Sequence, residues 1–328
     1  MSAQLDVELR PHREADLVEF VRIANAANEA DGIDEHASEA GLSNWLLTAR
    51  ANYRPADDIV VATAAGQVIG YGWTDWVETT DGKREYRTRG HVHPDWRRRG
   101  VGTTILGHNE ARLRAVALTH PDDRPRVLGA WASERRAGAV ALLTAHDYRP
   151  VRYFFDMLRP DLENVVVPPL PGGMEIRPVT DLAGFRRLWA ADTEAFMDHW
   201  GGFDASEESF QQWLVEPNFD PSLFVVAWDG DEIAGAIING IDPEENEAFS
   251  RLRGVLDSVF VRRAWRRRGL AAALVGRSLE LLRERGMTSA WLGVDADNPT
   301  GALGVYERAG FAVHQRASAY HKPMELDR

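Results

Sequence analysis

Hydrophobic and polar positions along this chain follow an order of elements that occurs twice. Each copy opens with a short β-type run that ends at a proline, residues 7–11 and 174–178, and continues into an amphipathic segment with helical spacing. Two β-type runs around a glycine-containing turn come next, followed by a third run, a long helical segment, a fourth run and a short helix. This order predicts an α+β fold, that is, an α/β arrangement with a mixed sheet, in each copy.

The same periodicity places the main elements at matching positions in the two copies. Helices are predicted at residues 15–30, 101–116 and 137–146 in the first copy, and at residues 181–197, 270–285 and 297–309 in the second. Strands are predicted at residues 58–62, 68–73, 126–131 and 153–157 in the first copy, and at residues 223–228, 233–238, 257–261 and 289–294 in the second. Gly286 is expected to lie just past the end of the long helix of the second copy.

The similarity of the two copies indicates a tandem duplication of one domain rather than a series of short repeats. Gly100 and Gly269, at equivalent points of the copies, are 269 − 100 = 169 residues apart. Residues 164–173 between the copies are rich in proline and glycine, which is typical of a linker. We therefore expect an N-terminal domain at residues 1–160, a linker at residues 161–173 and a C-terminal domain at residues 174–328.

Composition limits the classes to which the protein can belong. The chain has 328 residues, 44% of them hydrophobic, and a formal net charge of −12, which argues against binding to nucleic acid or to anionic membranes. The absence of cysteine excludes disulfides and a cysteine nucleophile. His91 and His93 alternate on one strand without further ligands nearby, so no metal site is expected. We find no apolar run of membrane length and no signal-peptide pattern, and therefore expect a soluble cytoplasmic protein.

The most informative stretch is an arginine-rich loop before the long helix of each copy, from Arg97 to Gly102 and from Arg266 to Ala271. Three arginines at a helix start are unfavourable for the helix dipole unless an anion binds there. The free N–H groups of a helix start favour a polyphosphate, and small residues let its backbone approach closely. The chain lacks the GxxxxGK[ST] and GxGxxG motifs of two other phosphate-binding classes. The two loops are therefore predicted to bind a pyrophosphate.

Both loops match the pattern R/Q-x-x-G-x-G/A, and through it the chain resembles the GCN5-related N-acetyltransferase (GNAT) family. The resemblance covers nearly all of both copies and implies two tandem GNAT domains that bind acetyl-CoA. It implies that the loops hold the pyrophosphate and that the strand before the second loop pairs with the pantetheine amides. The binding residues so implied are Arg97, Arg98, Arg99, Gly100 and Gly102 in the first copy, and Val259, Phe260, Val261, Arg266, Arg267, Arg268, Gly269, Leu270, Ala271 and Asn298 in the second.

The end of the second copy resembles the closing pattern of the same family, N-x-x-A…Y-x-x-x-G-F, from Asn298 through Tyr306 to Phe311. The resemblance implies that Tyr306 protonates the CoA sulfur, a role that suits a phenol with an ordinary pKa of about 10. Asn298 is also expected to cap the last helix, because Asn before Pro is a favourable helix start. Asp257, at the start of the strand that leads to the loop, is the candidate general base.

The first copy departs from this pattern where the chemistry would take place. Leu143 stands opposite Tyr306, Arg135 opposite Asn298, and Thr88 opposite Asp257. A leucine has no proton to donate, so the N-terminal domain is predicted to be catalytically degenerate and the C-terminal domain to be catalytic.

The expected reaction is direct transfer of acetyl from acetyl-CoA to a primary amine of a small molecule. The acceptor is expected to contact residues 196–203 with Trp189 and Trp213, where aromatic rings beside the acids Glu194 and Asp198 suit a cationic amine. Two alternatives stay open at this point. One is acetylation of protein N-termini or lysines, and the other is a non-catalytic CoA-binding or sensor module.

Overall fold

The chain forms two compact units, each containing one of the arginine-rich loops. The computed structural model describes residues 6–197, 199–202, 204–298 and 301–326. The first unit comprises Met1–Val151, Trp200–Pro217 and Ser318–Arg328. The second unit comprises Arg152–His199 and Asn218–Ala317.

The first unit is a mixed sheet with helices packed on it. Across the sheet, the strands follow the order β1 (Glu8–Pro11), β2 (Ile59–Ala64), β3 (Gln67–Glu78), β4 (Arg84–Val92), β5 (Arg126–Ser133) and the part of β12 (Ala312–Pro323) from Ser318 onward. Strands β1 to β4 are antiparallel neighbours, whereas β4 and β5 are parallel. The helices are α1 (Leu17–Asp31), α2 (Glu39–Leu46), α3 (Pro55–Asp58), α4 (Val101–Leu118), α5 (Ala137–Ala145) and α7 (Glu207–Leu214), with 3₁₀ turns at Glu14–Asp16 and Pro94–Trp96.

Both faces of the first sheet are covered, because successive strand side chains point to opposite faces. On one face Val61 of β2 packs with Phe20 of α1. On the other face Val60 of the same strand packs with Ile105 of α4. Strand β2 is fully buried along its length, as expected for a strand between two helical layers.

The second unit has the same plan. Its strands follow the order β7 (Met174–Ile176), β8 (Val225–Asp229), β9 (Glu232–Ile241), β10 (Arg253–Val261), β11 (Ser289–Asp295), β6 (Arg149–Arg159) from Arg152 onward, and β12 up to Ala317. Strands β10 and β11 are parallel, and the other recorded pairings are antiparallel. The helices are α6 (Leu182–Phe196), α8 (Pro243–Ala248), α9 (Leu270–Glu284) and α10 (Ala302–Arg308), with 3₁₀ turns at Pro221–Leu223 and Arg263–Trp265.

Helix α9 is the main support of the second sheet. Leu274 and Leu282 lie on its buried face, as the helical spacing predicts. A Cβ at Gly254 of β10 would stand 2.5 Å from Cδ2 of Leu282, so the glycine allows the helix to approach the strand closely. The prediction for the helix end is confirmed, because α9 ends at Glu284 and Gly286 has a left-handed φ of 86°.

The two units are not divided at the proline-rich linker. Residues 152–159, at the end of the first copy, lie in the second unit, where β6 pairs with β11 from Phe154↔Asp295 to Arg159↔Ala290. Conversely, residues 318–328 lie in the first unit, where the N–H of Met324 donates to the carbonyl of Arg126. Local composition, which suggested boundaries at 160 and 173, contains no information about the pairing of distant strands.

The last helix of the second copy begins later than predicted. Helix α10 starts at Ala302, and its N-cap is Gly301 with a φ of 74°. The prediction that Asn298 caps this helix is therefore wrong. Asn298 instead opens a turn, in which its carbonyl oxygen accepts a hydrogen bond from the N–H of Gly301 at 3.3 Å. Pro299 and Thr300 lie outside the described residues.

Candidate functional site

The two arginine-rich loops have the same backbone conformation. Gly100 and Gly269 both have a φ of 87°, and each is the N-cap of the long helix that follows, without a side-chain hydrogen bond to the cap. A Cβ built on either glycine would meet no atom within 4 Å. The space beside each glycine is therefore open, and the N–H groups that a helix start leaves unpaired are suited to an anion such as a pyrophosphate.

The first arginine of each loop points back into the protein. Arg97 binds Asp31 of α1 through two hydrogen bonds, and Nε of Arg266 donates to the carbonyl of Val261 at 2.9 Å. In the second unit, Arg266 also reaches the carbonyl of Ala195 at 3.4 Å. These contacts hold each loop against its strand and its first helix, and a contact of either arginine with the pyrophosphate stays a prediction.

The second and third arginines of each loop are exposed. Arg98 and Arg267 adopt left-handed φ values of 62° and 60°, and Arg99 lies over the ring of Trp96. Among the described residues, no carboxylate forms a salt bridge with Arg98, Arg99, Arg267 or Arg268. Unneutralised guanidinium groups at a helix start are favourable only when an anion is bound there.

The remaining loop residues shape the backbone rather than add charge. Leu270 is fully buried in the core of the second unit, so only its backbone faces the loop. Ala271 is half-buried in the first turn of α9. In the other loop, a Cβ on Gly102 would stand 3.2 Å from Cδ2 of Leu142, so this glycine permits close packing of α4 on α5.

Behind each loop, two parallel strands diverge. In the second unit, β10 and β11 pair only over Arg253–Val255, although β10 continues to Val261. On its other edge, β10 stays paired with β9 as far as Val261↔Gly235. Val259, Phe260 and Val261 therefore have one hydrogen-bonding edge towards the gap, where an extended amide-containing ligand can pair with it.

The same gap in the first unit is an open cavity of about 620 Å³. Its wall includes the edge of β4 from Thr88 to Val92, the loop residues Arg97, Arg98, Gly100 and Gly102, and parts of α4, β5 and α5. A cavity that connects a free strand edge to an arginine-rich helix start is suited to a molecule with an amide arm and a pyrophosphate.

Strand β10 contains a β-bulge that β4 lacks. The pairing with β9 shifts between Leu256 and Ser258, so that Asp257 is the extra residue. In the first unit, β3 and β4 pair without interruption from Gly70↔Val92 to Glu78↔Arg84. A bulge redirects side chains locally, and it brings the candidate base Asp257 out of the regular alternation.

A carboxyl group that the sequence analysis missed lies beside this bulge. Asp192 of α6 accepts a hydrogen bond from Oγ of Ser258 at 2.6 Å. The pKa of Asp192 is raised to about 7. Burial is the main cause, the charge of Asp257 also raises the pKa, and the hydrogen bond from Ser258 lowers it. Reduced hydration also raises the pKa of Asp257, which is exposed at the surface of this unit. The sequence signal was an acid next to the apolar stripe of an amphipathic helix, beside the buried Ala191.

Tyr306, the candidate acid, lies on α10 in the core of the second unit. It is 5% exposed, and its ring makes an edge-to-face contact with Phe311. Burial raises the pKa of the phenol above its usual value, so the group keeps its proton at neutral pH. In the first unit Leu143, at the equivalent position of α5, is buried and lines the cavity.

The region expected to contact the acceptor is divided between the two units. Trp189, Phe196 and His199 belong to the second unit, and the rings of Phe196 and His199 lie 4.4 Å apart. Residues from Trp200 onward, including Trp213, belong to the first unit. Glu194 binds Arg262 rather than pointing into a pocket. Asp198 and Phe203 lie outside the described residues.

The first unit has basic side chains at this place, where the second has Ser258 and Phe260. Arg89, which corresponds to Ser258, binds Asp75 at 3.0 Å. Burial and the charges of Arg136 and Arg97 lower the pKa of His91 to about 3, so this imidazole is neutral, and it lies 3.3 Å from Nη1 of Arg136.

The described ranges contain neither a cluster of metal-binding side chains nor a membrane-spanning helix. No group of three or more metal-binding side chains occurs there. None of the helices in that part of the chain combines the length and the apolar character needed to traverse a lipid bilayer.

Comparison with known proteins agrees with this geometry. A family model described as the acetyltransferase (GNAT) family matches residues 185–311. A mycothiol acetyltransferase of Salinispora tropica is 32% identical over 301 residues, which cover 91% of this chain and 89% of that protein. The chain therefore belongs to the GCN5-related N-acetyltransferase family, as a tandem member, and is an acetyltransferase that uses acetyl-CoA.

Other relatives extend the similarity over both units. A mycothiol acetyltransferase of Geodermatophilus obscurus is 29% identical, with 92% of each chain covered. A GCN5-related N-acetyltransferase from Sphaerobacter thermophilus superimposes with a TM-score of 0.71 at 27% identity, covering 97% of this chain and 95% of that one. A tandem GNAT protein from the clavulanic acid biosynthesis pathway shares the fold, with a TM-score of 0.73 at 16% identity over 98% of this chain and 100% of that one.

Proposed function

We propose that the protein transfers acetyl directly from acetyl-CoA to a primary amine of a small molecule, and that the chemistry takes place in the second unit. The observation that carries this proposal is the contrast between the units. Beside its loop, the second unit has Tyr306 and a bulged strand with Asp257, whereas the first has Leu143 and the unbulged Thr88. The candidate acid Tyr306 and the candidate carboxylate Asp257 have no equivalent at the matching positions of the first unit.

The reaction follows from the chemistry of these groups. The neutral amine nitrogen attacks the carbonyl carbon of the thioester, and the carbon–sulfur bond breaks as the amide bond forms. The nitrogen gives up one proton, which replaces the proton that Tyr306 transfers to the sulfur. Tyr306 gives its proton to the departing sulfur, a transfer for which its raised pKa keeps the phenol protonated. Asp257 lies where a carboxylate can attract the protonated amine, and the free edge of β10 supports binding of the pantetheine amides.

The names of the relatives suggest the class of acceptor. Proteins that align with nine tenths of this chain are named mycothiol acetyltransferase. The amine of a sugar–cysteine conjugate is therefore one candidate acceptor. Two units with different site chemistry also fit a division of roles, in which the first unit binds CoA without catalysing transfer.

A matched pair of variants tests the location of the chemistry. Gly100→Glu and Gly269→Glu place the same charge at the same backbone conformation, so the cost of strain is equal in both. Acetyl-CoA binding is measured by calorimetry, and acetylation of glucosamine and S-methyl-L-cysteine amide by mass spectrometry. We expect Gly269→Glu to abolish acetylation and Gly100→Glu to preserve it. Loss of activity in Gly100→Glu alone would place the chemistry in the first unit.

A further inference from the structure

We propose that Asp192 of α6 takes the proton from the acceptor amine, held in place by Ser258 and opposed by Asp257. The inference rests on the proposed function and deepens it, because it assigns the proton acceptor and the charge of the acceptor. It differs from the sequence-based expectation, in which Asp257 itself is the base.

The two oxygens of the Asp192 carboxyl group have different surroundings. Its side chain is half-buried one helical turn after Leu188, which is itself 1% exposed. Oδ1 accepts the hydrogen bond from Ser258 at 2.6 Å, which fixes the plane of the carboxyl group. With the described residues, Oδ2 makes no hydrogen bond or ion pair. One oxygen is thus used for positioning, and the other is available to a ligand.

The β-bulge of β10 lies next to Asp192. Ser258 points towards α6, and the extra residue Asp257 precedes it directly on the same strand. Together with Asp192 of α6, these two residues present two carboxyl groups and one hydroxyl group at one point of the gap beside β10. A pair of close carboxyl groups disfavours double ionisation unless a cation is present, so the pair favours a protonated amine.

Within the described part of the chain, no basic side chain forms an ion pair with Asp192 or Asp257. Helix α6 packs on β9 and β10, and the titratable residue of β9, Glu232, binds Arg262. On α6 itself, Glu194 also binds Arg262, while Arg187 donates to the carbonyl of Asp231. At the loop end, Arg266 donates to two backbone carbonyls, and Arg267 and Arg268 are exposed. The charged group that acts on Asp192 is therefore Asp257.

The first unit serves as an internal comparison. The equivalent loop residues Arg97 and Arg266 reach the carbonyls of Ala27 in α1 and Ala195 in α6, so Ala24, three residues before Ala27, occupies the place of Asp192. The residues equivalent to Asp257 and Ser258 are Thr88 and Arg89. The whole carboxyl arrangement is thus missing from the unit that also lacks the tyrosine.

The proposed step balances in protons. The acceptor arrives as an ammonium ion and gives one proton to Asp192, which leaves a neutral amine with a free electron pair. The amine attacks the thioester carbon, the carbon–sulfur bond breaks, and the sulfur takes the proton of Tyr306. Nitrogen loses its second proton, which returns to Tyr306, and the proton on Asp192 passes to water. An amide, free CoA and one released proton result.

The test compares the pH dependence of kcat/KM in four variants of the full chain, with glucosamine and S-methyl-L-cysteine amide as probes. Activity must fall as pH drops through the pKa of the proton acceptor. Asp192→Asn should lower kcat about 100-fold and remove this acidic limb, with acetyl-CoA affinity unchanged. Ser258→Ala should move the limb to higher pH, because the lost hydrogen bond stabilised the carboxylate, and Asp257→Asn should move it to lower pH. Glu284→Gln, an exposed acid at the far end of α9, is the control.

The outcomes separate the inference from the function on which it rests. Wild-type turnover together with an unaltered profile in Asp192→Asn would overturn the inference alone. Shifts of the same sign in Ser258→Ala and Asp257→Asn would also overturn it, because the structure requires opposite signs. No turnover by the wild-type chain with either probe would overturn the proposed function and the inference with it. Thermal unfolding of each variant identifies any change caused by misfolding.

Discussion

Arg97 and Asp31 form a two-point ion pair in the first unit, with Nη1 2.6 Å from Oδ1 and Nη2 2.9 Å from Oδ2. The arginine that begins the phosphate loop motif is thereby committed to α1, while Arg98 beside it is exposed. The two neighbours differ in what their removal should affect, although both belong to the same motif.

Replacing Arg97 with Ala should lower the free energy of unfolding of the first unit by about 1–3 kcal/mol, because it leaves the partly buried Asp31 without its partner. Replacing Arg98 with Ala should change that free energy by less than about 0.5 kcal/mol. It should weaken acetyl-CoA binding in this unit roughly tenfold through loss of a charge-assisted contact. Urea unfolding and calorimetry measure the two effects, and the reverse pattern would contradict the assignment.

Tyr306→Phe should lower kcat about 100-fold and leave acetyl-CoA affinity unchanged, because only the transferable proton is lost. The phenol is buried, and its raised pKa makes it a proton donor at neutral pH. Tyr153→Phe, which removes the hydroxyl of an exposed tyrosine on β6, is the matched control. Steady-state kinetics with both substrates varied separates the two parameters. Equal kcat in Tyr306→Phe and the control would exclude the tyrosine as the acid.

His91 should make the first unit sensitive to mild acid. Its pKa is about 3 in the folded protein and about 6.5 in the unfolded chain, so the unfolded chain binds the proton first as pH falls. Stability is therefore lost as pH drops below 6.5, by about 1.4 kcal/mol per pH unit from this group. In His91→Phe, which copies Phe260 of the second unit, this contribution should disappear. Urea unfolding from roughly pH 7.5 to pH 4, a range that spans the expected loss, gives the slope of the unfolding free energy against pH for the wild type and for the variant. Equal slopes would refute the prediction.

Asp75 should be the most costly carboxylate to remove from the first sheet. Burial alone would raise its pKa, but the charges of Arg87 and Arg89 hold the pKa well below its usual range. Asp75→Asn leaves two partly buried guanidinium groups unpaired and should cost about 3–5 kcal/mol at pH 7. Because the folded-state pKa is depressed, the advantage of the wild type is full above about pH 4 and shrinks as pH falls further. A difference that does not depend on pH would show that the ion pair is not its source.

Much of the candidate site was accessible from the sequence. The loops around Gly100 and Gly269 could be found because a left-handed glycine and a helix start leave a local signature. Tyr306 of α10 was singled out through its spacing from Gly310 and Phe311, which follow this helix, and its role as the acid stays a prediction. The start of the last helix was predicted wrongly, at Asn298 rather than at Gly301. Asn before Pro is a common cap, and the turn that Asn298 forms instead depends on contacts beyond the local stretch.

The sequence by itself determined the duplication, the order of strands and helices, and the two arginine-rich loops before helix starts, since these depend on periodicity and on residues close together in the chain. Only the tertiary structure decided that Asp192 meets Ser258, 66 residues further along the chain, and that β10 but not β4 has a bulge. It also decided that residues 152–159 join the second unit and residues 318–328 the first. The reason is physical: strand register and strand partners depend on side chains that lie far apart in the sequence, and no local pattern specifies which of them meet.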